Sequence, residues 1–227
     1  MTPVIEDTQH VGTLPATTAG SFTRIITATS VDRVVAIVSI VPFAYLTYVR
    51  FAEGNLNVPR ICSIIVGFLL IGTMVARRAP VRVTPNPWFW LLAFVATYGT
   101  MGAALFAQRG VPLAPAIVTS TIALLALGIT VFARFSLGRN IGFVPAQRRL
   151  VTSGAYAYMR HPIYTGLFVG YMGLILRAYS RLNVAMFSFI VALFVIKSVV
   201  EENFLKTDPL YAEYMQLVRS RWFPGIA

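Results

Sequence analysis

Two glutamates and a lysine lie close together where the last long apolar run ends, at Lys197, Glu201 and Glu202. Lys197 and Glu201 are four residues apart, so they share one face of a helix. A structural salt bridge is the simplest interpretation. However, lysine before glutamate is the weaker order for a helical pair, and carboxylates near a helix C-terminus oppose the helix dipole. This placement of two of the eight acidic residues therefore indicates a ligand site.

A second concentration of chemically useful residues fills the segment 134–165, which is rich in glycine, tyrosine, arginine and histidine. Loops longer than about 12–15 residues in compact chains tend to be functional. Pro162 is suited to the first turn of a helix, and the free N–H groups of such a turn favour an anionic group. Glycines allow the backbone to approach a ligand closely, and tyrosines offer flat apolar faces with a polar tip. The segment therefore predicts a binding site.

The composition decides what kind of molecule holds these residues. Apolar residues make up 57% of the 227 residues and charged residues only 12%, with a mean hydropathy of +0.72. A soluble domain is about one quarter charged, so this chain lacks the polar side chains to cover a water-facing surface. The 19 basic residues lie between apolar runs rather than on one polar face, which does not favour nucleic acid as a partner. A polytopic membrane protein is expected.

Six uncharged stretches could cross a bilayer as helices, because a span needs about 20 apolar residues and flanking arginines can extend a shorter one. They are residues 34–49, 61–76, 83–108, 110–133, 161–176 and 182–196. The tight connection 177–181 predicts that the last two form a helical hairpin. Gly166, Gly170 and Gly173 share one face of the first arm, and this spacing favours close helix packing.

Six spans place both termini on one side of the membrane. That side would carry 14 of the 19 basic residues, which predicts cytoplasmic termini by the positive-inside rule. The 14 are Arg24, Arg33, Arg77, Arg78, Arg82, Arg134, Arg139, Arg148, Arg149, Arg160, Lys197, Lys206, Arg219 and Arg221. Residues 1–30 are polar and predict a flexible tail. Residues 31–133 would hold four spans, and residues 134–227 would form the functional core. The preponderance of arginine over lysine is typical of a GC-rich bacterial genome, and we therefore expect a bacterial inner membrane protein.

The motif Arg160-His161-Pro162-Ile163-Tyr164-Thr165-Gly166, preceded by Leu150-Val151-Thr152-Ser153-Gly154-Ala155-Tyr156, resembles the isoprenylcysteine carboxyl methyltransferase family, which includes phospholipid N-methyltransferases. Glu201 and Glu202, followed by Leu205, Tyr211, Tyr214, Val218 and Pro224, are similar to the C-terminal pattern of that family. The resemblance covers residues 134–224. The first four spans carry no such signature.

The resemblance implies an all-α integral membrane methyltransferase that uses S-adenosylmethionine, without a metal, on a lipidic or small apolar acceptor. Lys197, Glu201 and Glu202 are the candidate catalytic residues. Lys197 stands where the family commonly has an arginine that orients the acceptor, so it is also the candidate substrate-binding residue. The candidate cofactor-binding residues are Arg148, Arg149, Leu150, Val151, Tyr156, His161, Pro162, Ile163, Tyr164 and Glu201.

The acceptor class and the oligomeric state stay open. A carboxylate or thiolate acceptor needs no base, whereas an amine or thiol must lose a proton, which His161, Tyr164 or Glu202 could take. Two other functions remain as alternatives. Nicotinamide-dependent sterol-type reductases carry a similar Arg-His-Pro motif but commonly have asparagine where this chain has Ile163. A transporter or scaffold would leave the 134–165 segment unexplained. Tyr211, Tyr214 and Trp222 predict a short amphipathic helix at the membrane interface.

Overall fold

The computed structural model describes residues 29–52, 54, 56–76, 78, 82–84, 86–141, 146–147 and 149–226, with side chains left out at some of them, among them 29–37 and 146–147. Most of the predicted N-terminal tail lies outside these residues. So does Arg148.

The described residues form seven α-helices and one very short antiparallel strand pair. The helices are α1 (Thr29–Ala52), α2 (Val58–Ala76), α3 (Pro87–Phe106), α4 (Ala116–Leu137), α5 (Pro162–Arg177), α6 (Arg181–Leu205) and α7 (Pro209–Leu217). The strands are β1 (Arg82–Val83) and β2 (Ala146–Gln147), with Arg82 opposite Gln147. Short 3-10 helices cover Gly138–Asn140 and Gly154–Ala157. The fold is all-helical in character, as predicted.

Each of the six apolar stretches contains a helix, but two stretches start several residues before their helix does. Val83 belongs to β1, and α3 begins only at Pro87, where the Asn86 side chain accepts a hydrogen bond from the N–H of Trp88 at 3.0 Å. Residues 110–115 are not helical either, because prolines interrupt the segment and Val111 pairs with Tyr179 through backbone hydrogen bonds.

Three helices of the described chain are long and apolar enough to cross a membrane: 58–76, 116–140 with its 3-10 extension, and 181–205. The α5 helix has 16 residues, about 24 Å at 1.5 Å per residue, against a hydrocarbon core of about 30 Å. Length and composition therefore establish a multispanning helical protein but not the predicted number of six spans.

The glycine face of α5 packs against α4. A Cβ atom on Gly166 would clash with the hydroxyl of Thr130, and one on Gly173 would lie 2.8 Å from Ile122. The predicted close helix contact is therefore confirmed, although the partner is α4 rather than the other arm of the hairpin. The α6 helix packs mainly on α3.

Gly166→Ala is expected to lower the free energy of unfolding by about 1–3 kcal/mol, because an extra methyl group in a tight helix contact forces α4 and α5 apart. The matched control is Gly128→Ala on α4, where an added Cβ meets nothing within 4 Å. Thermal unfolding of the detergent-solubilised variants measures the difference. Equal melting temperatures for the two variants would contradict the packing inferred here.

Contacts between loops divide the helix ends into two groups. At one end, which we call the site end, β1 pairs with β2, and Arg139 Nε donates to the Ala76 carbonyl at 2.7 Å. At the opposite end, the far end, the buried amide of Asn183 bonds to both the N–H and the carbonyl of Gln108 at 2.9 Å. The last turn of α6 belongs to the site end, because Glu202 bonds there to Arg160 and His161.

Candidate active site

The centre of the site end is the buried carboxylate of Glu202, whose side chain is only 3% exposed. Arg160 Nε donates to Oε1 at 2.8 Å, and Arg221 Nε and Nη2 donate to Oε2 at 3.0 and 2.8 Å. His161 Nε2 lies 3.0 Å from Oε1. A carboxylate only accepts hydrogen bonds, so in the neutral imidazole the Nε2 proton points to Glu202 and the Nδ1 lone pair is left free of this contact.

The chain after α7 holds the start of α5 in place. The backbone N–H groups of Arg160 and His161 donate to the carbonyls of Ser220 and Arg221 at 3.0 and 2.9 Å. Arg160 Nη1 reaches the Val218 carbonyl at 3.0 Å, and the Thr165 hydroxyl donates to the Trp222 carbonyl. The motif that opens α5 is therefore a rigid element, positioned by both α6 and the C-terminal segment.

Glu201, the neighbour of Glu202, points to a different set of partners. The Tyr164 hydroxyl donates to its Oε2 at 2.8 Å, and Lys197 Nζ lies 3.5 Å from its Oε1. His161 Nδ1 is 3.9 Å from Oε2, too far for a hydrogen bond. The predicted Lys197–Glu201 proximity is thus present, and Tyr164 joins it.

Aromatic rings enclose the lysine. The rings of Tyr164 and His161 stack with centroids 5.2 Å apart, and Phe194 meets Tyr164 edge-on at 5.0 Å. Lys197 Nζ lies 5.4 Å from the Tyr164 centroid and 5.5 Å from that of Phe194, within the range of a cation–π interaction. The ammonium group is therefore held over two rings beside one carboxylate, in a pocket from which water is largely excluded.

This group opens onto a cavity of about 530 Å³ between the helices, within the range of about 300–1,000 Å³ that suits small-molecule sites. Its site end is polar, with His161, Tyr164, Lys197 and Glu201 in the wall. Its middle is lined mainly by apolar side chains of α1, α2, α4 and α5, and it continues to Arg60 and Arg177 at the far end. The cavity can therefore hold a polar group at one end and an apolar chain along its length.

Nearly all of the described cofactor candidates line this cavity. They are Arg149, Leu150, Val151, Tyr156, His161, Ile163, Tyr164 and Glu201. Pro162 is buried at the first turn of α5, as predicted. Pro162 and Glu202 do not line the cavity. Glu202 lies behind its wall, where it bonds to Arg160, His161 and Arg221.

Three tyrosines on the cavity wall remain un-ionised hydrogen-bond donors. Burial raises the pKa of Tyr156, Tyr211 and Tyr214 well above the ordinary phenol value. The Tyr214 hydroxyl donates to the Tyr156 carbonyl at 2.8 Å. The predicted short C-terminal helix is present as α7, but it ends at Leu217, so Trp222 lies beyond it. Tyr211 and Tyr214 are buried and line the cavity.

Sequence reasoning missed two arginines of this region. Arg221 donates two hydrogen bonds to Glu202. It lies in the polar C-terminal segment, and its spacing from Glu202 matches no recognisable pattern. Arg134, at the end of α4, is buried and lines the cavity, whereas the sequence predicts only a charge that flanks a span. The only signal for Arg134 is its position directly after an apolar run.

Residues 112–212 match the family model for phospholipid methyltransferases. This part of the chain is similar to that family. The match confirms the resemblance seen in the two motifs, and it corrects the expectation that the first four spans carry no signature, because it includes α4. No curated protein matches the chain. Together, the apolar helices and the phospholipid methyltransferase region indicate an integral membrane protein and imply a methyltransferase activity.

Proposed function

We propose that this protein is an S-adenosylmethionine-dependent methyltransferase that acts on a lipidic or small apolar acceptor within the membrane. The observation that carries the proposal is the cavity, in which Tyr164, Glu201 and Lys197 form a polar end that continues into an apolar interior. Such a cavity suits the joint binding of a polar cationic cofactor and an amphiphile. The family match supports the reaction class.

The residues at the site end fit this cofactor. S-adenosylmethionine supplies an electrophilic methyl group on a positively charged sulfur. The carboxylate of Glu201 would offset positive charge, and Leu150, Val151 and the ring of Tyr156 offer apolar surfaces for the nucleoside. The exposed Arg149 and Arg148 remain weaker members of this set, since Arg148 lies outside the described residues.

Lys197 is the proposed acceptor-orienting residue, because its ammonium group is fixed by Glu201 and two rings. Correct alignment of acceptor and methyl group supplies a large part of the rate in transfer reactions. His161 is the proposed proton acceptor for an amine or thiol, since Glu202 fixes its Nε2 proton and leaves Nδ1 on the Glu201 side. Glu202 itself, held by two arginines, is better suited to positioning than to taking a proton.

Binding of labelled S-adenosylmethionine and of NADPH to the purified full-length protein tests the proposal, followed by methyl transfer to long-chain carboxylates, amines and thiols. We expect binding of S-adenosylmethionine, displaced by S-adenosylhomocysteine, and transfer to one acceptor class. Binding of NADPH alone would favour the sterol-type reductase. Binding of neither would favour a transporter or scaffold.

We further propose six spans in a bacterial inner membrane, with both termini in the cytoplasm. The two groups of helix ends support this, because the described loops that are predicted on one side contact each other. Reporter fusions after Ala227 and within residues 53–57 are expected to report opposite sides, the first cytoplasmic. A second fusion within residues 107–115 should agree with the 53–57 fusion, and signals from one side at all three places would refute the six-span arrangement.

A further inference from the structure

Arg134 is a buried cation in the cavity wall. It lies in the last turn of α4 and is only 9% exposed. Its Nη1 donates to the Thr73 hydroxyl on α2 at 2.7 Å, whereas its buried Nε has no hydrogen-bond partner. The side chain therefore retains unused donor capacity in a place with little water.

Such a cation is expensive to leave without an anion. Removing a charge from water costs several kcal/mol unless an opposite charge and hydrogen bonds compensate it. Glu201, Glu202 and Glu213 are not paired with Arg134, and within the described residues no carboxylate forms an ion pair with it. The described residues thus supply one neutral oxygen as a hydrogen-bond partner, and the remaining compensation must come from elsewhere.

The surroundings of Arg134 show where an anion could enter. Arg134, Thr73, Val151 and Tyr156 all line the same cavity as the Lys197–Glu201 pair. Tyr156 is close enough to Arg134 to interact with it electrostatically. The guanidinium group is therefore reachable from the space in which the substrates of the proposed reaction would bind.

We propose that Arg134, oriented by its hydrogen bond to Thr73, forms an oxyanion-binding site in the wall of the cavity, and that this site binds a carboxylate or a phosphate. A guanidinium group matches either anion with paired donors. The anion would come from one of two sources: the carboxylate of the amino-acid part of the cofactor, or the anionic group of the acceptor. Only the first source, the carboxylate of the cofactor, depends on the proposed function.

Binding measurements on the full-length protein in detergent distinguish the two sources. The cofactor arm compares S-adenosylmethionine with its decarboxylated form, and the acceptor arm compares palmitate and lysophosphatidate with methyl palmitate and monopalmitoylglycerol. In one of the two arms, Arg134→Gln is expected to weaken binding of the probe that carries a carboxylate or phosphate about tenfold to a hundredfold, as loss of a charge-assisted hydrogen bond implies. Binding of the probe in that arm that lacks the anionic group should be unaffected.

Arg181→Gln is the matched control, because Arg181 is exposed at the far end, and it should leave all affinities unchanged. Equal affinities in wild type and Arg134→Gln for every probe would overturn the proposal. If Arg134→Gln does not fold, Arg134→Lys is measured instead, because lysine keeps the positive charge but loses the paired donors of the guanidinium group. If Arg134→Lys then prefers the probes with an anionic group over those without one as strongly as the wild type does, the proposed site is overturned. Failure of the wild type to bind S-adenosylmethionine would defeat the proposed function, while the acceptor arm would still test Arg134.

Discussion

Glu202→Gln is expected to lower the free energy of unfolding by about 3–5 kcal/mol, the usual cost of removing one partner from a buried ion pair. The substitution keeps the shape but removes the charge that compensates Arg160 and Arg221, and its amide group would face a donor rather than an acceptor. Arg160 is 8% exposed, so water cannot replace the lost carboxylate there. Arg221 is 31% exposed and would be partly solvated.

The activity of Glu202→Gln should fall as well, because the carboxylate also fixes the His161 ring. Denaturation in detergent, followed by helix content, measures the stability change. The matched control is Glu213→Gln on α7, an exposed glutamate whose replacement should change stability by less than about 0.5 kcal/mol. A Glu202→Gln protein as stable as this control would show that Arg160 and Arg221 do not depend on the carboxylate.

Much of this fold could be predicted from the sequence, because the bilayer imposes one rule on every span. An apolar stretch in lipid must satisfy its backbone internally, so each of the six stretches contains a helix. The errors fall at Val83 and at residues 110–115, where an uncharged segment pairs with another loop instead of continuing a helix. Absence of charge does not distinguish a loop buried among helix ends from a span.

The candidate site was predictable where one element carries the information. Lys197 and Glu201 are one helical turn apart, and Pro162 marks the start of a helix, so local rules were sufficient. The hydrogen bonds from Arg221 to Glu202 depend on how the chain folds back after α7. No rule based on nearby residues predicts the course of this segment. Arg134 was misjudged for a related reason: flanking arginines usually reach water, and only the packing of α2 against α4 shows that this one does not.

We expect Glu201 to affect cofactor binding and Lys197 to affect methyl transfer. Such a difference would distinguish a functional site from a purely structural salt bridge. Glu201→Gln removes the negative charge proposed to offset the cofactor, so affinity for S-adenosylmethionine should fall about tenfold to a hundredfold. Lys197→Met should leave that affinity nearly unchanged and lower kcat about a hundredfold, the scale of a small misalignment of the reacting groups. Calorimetry and methyl-transfer kinetics measure the two effects. Lys206→Met is the control, because the Lys206 side chain is exposed and donates to the Asn203 side chain rather than to Glu201.

Lys197→Arg addresses the acceptor class. Lysine is a point charge, whereas arginine presents a planar fork that holds a carboxylate through two hydrogen bonds. If the acceptor is a carboxylate, Lys197→Arg should retain activity or lower the KM. If it is an amine or a thiol, the larger guanidinium group gains no partner and must still fit between the rings of Tyr164 and Phe194, so kcat should fall as it does in Lys197→Met. Wild-type kinetics and cofactor affinity in Glu201→Gln and Lys197→Met would reduce the pair to a structural ion pair, since only a pair that contacts neither substrate can be broken without an effect on either step.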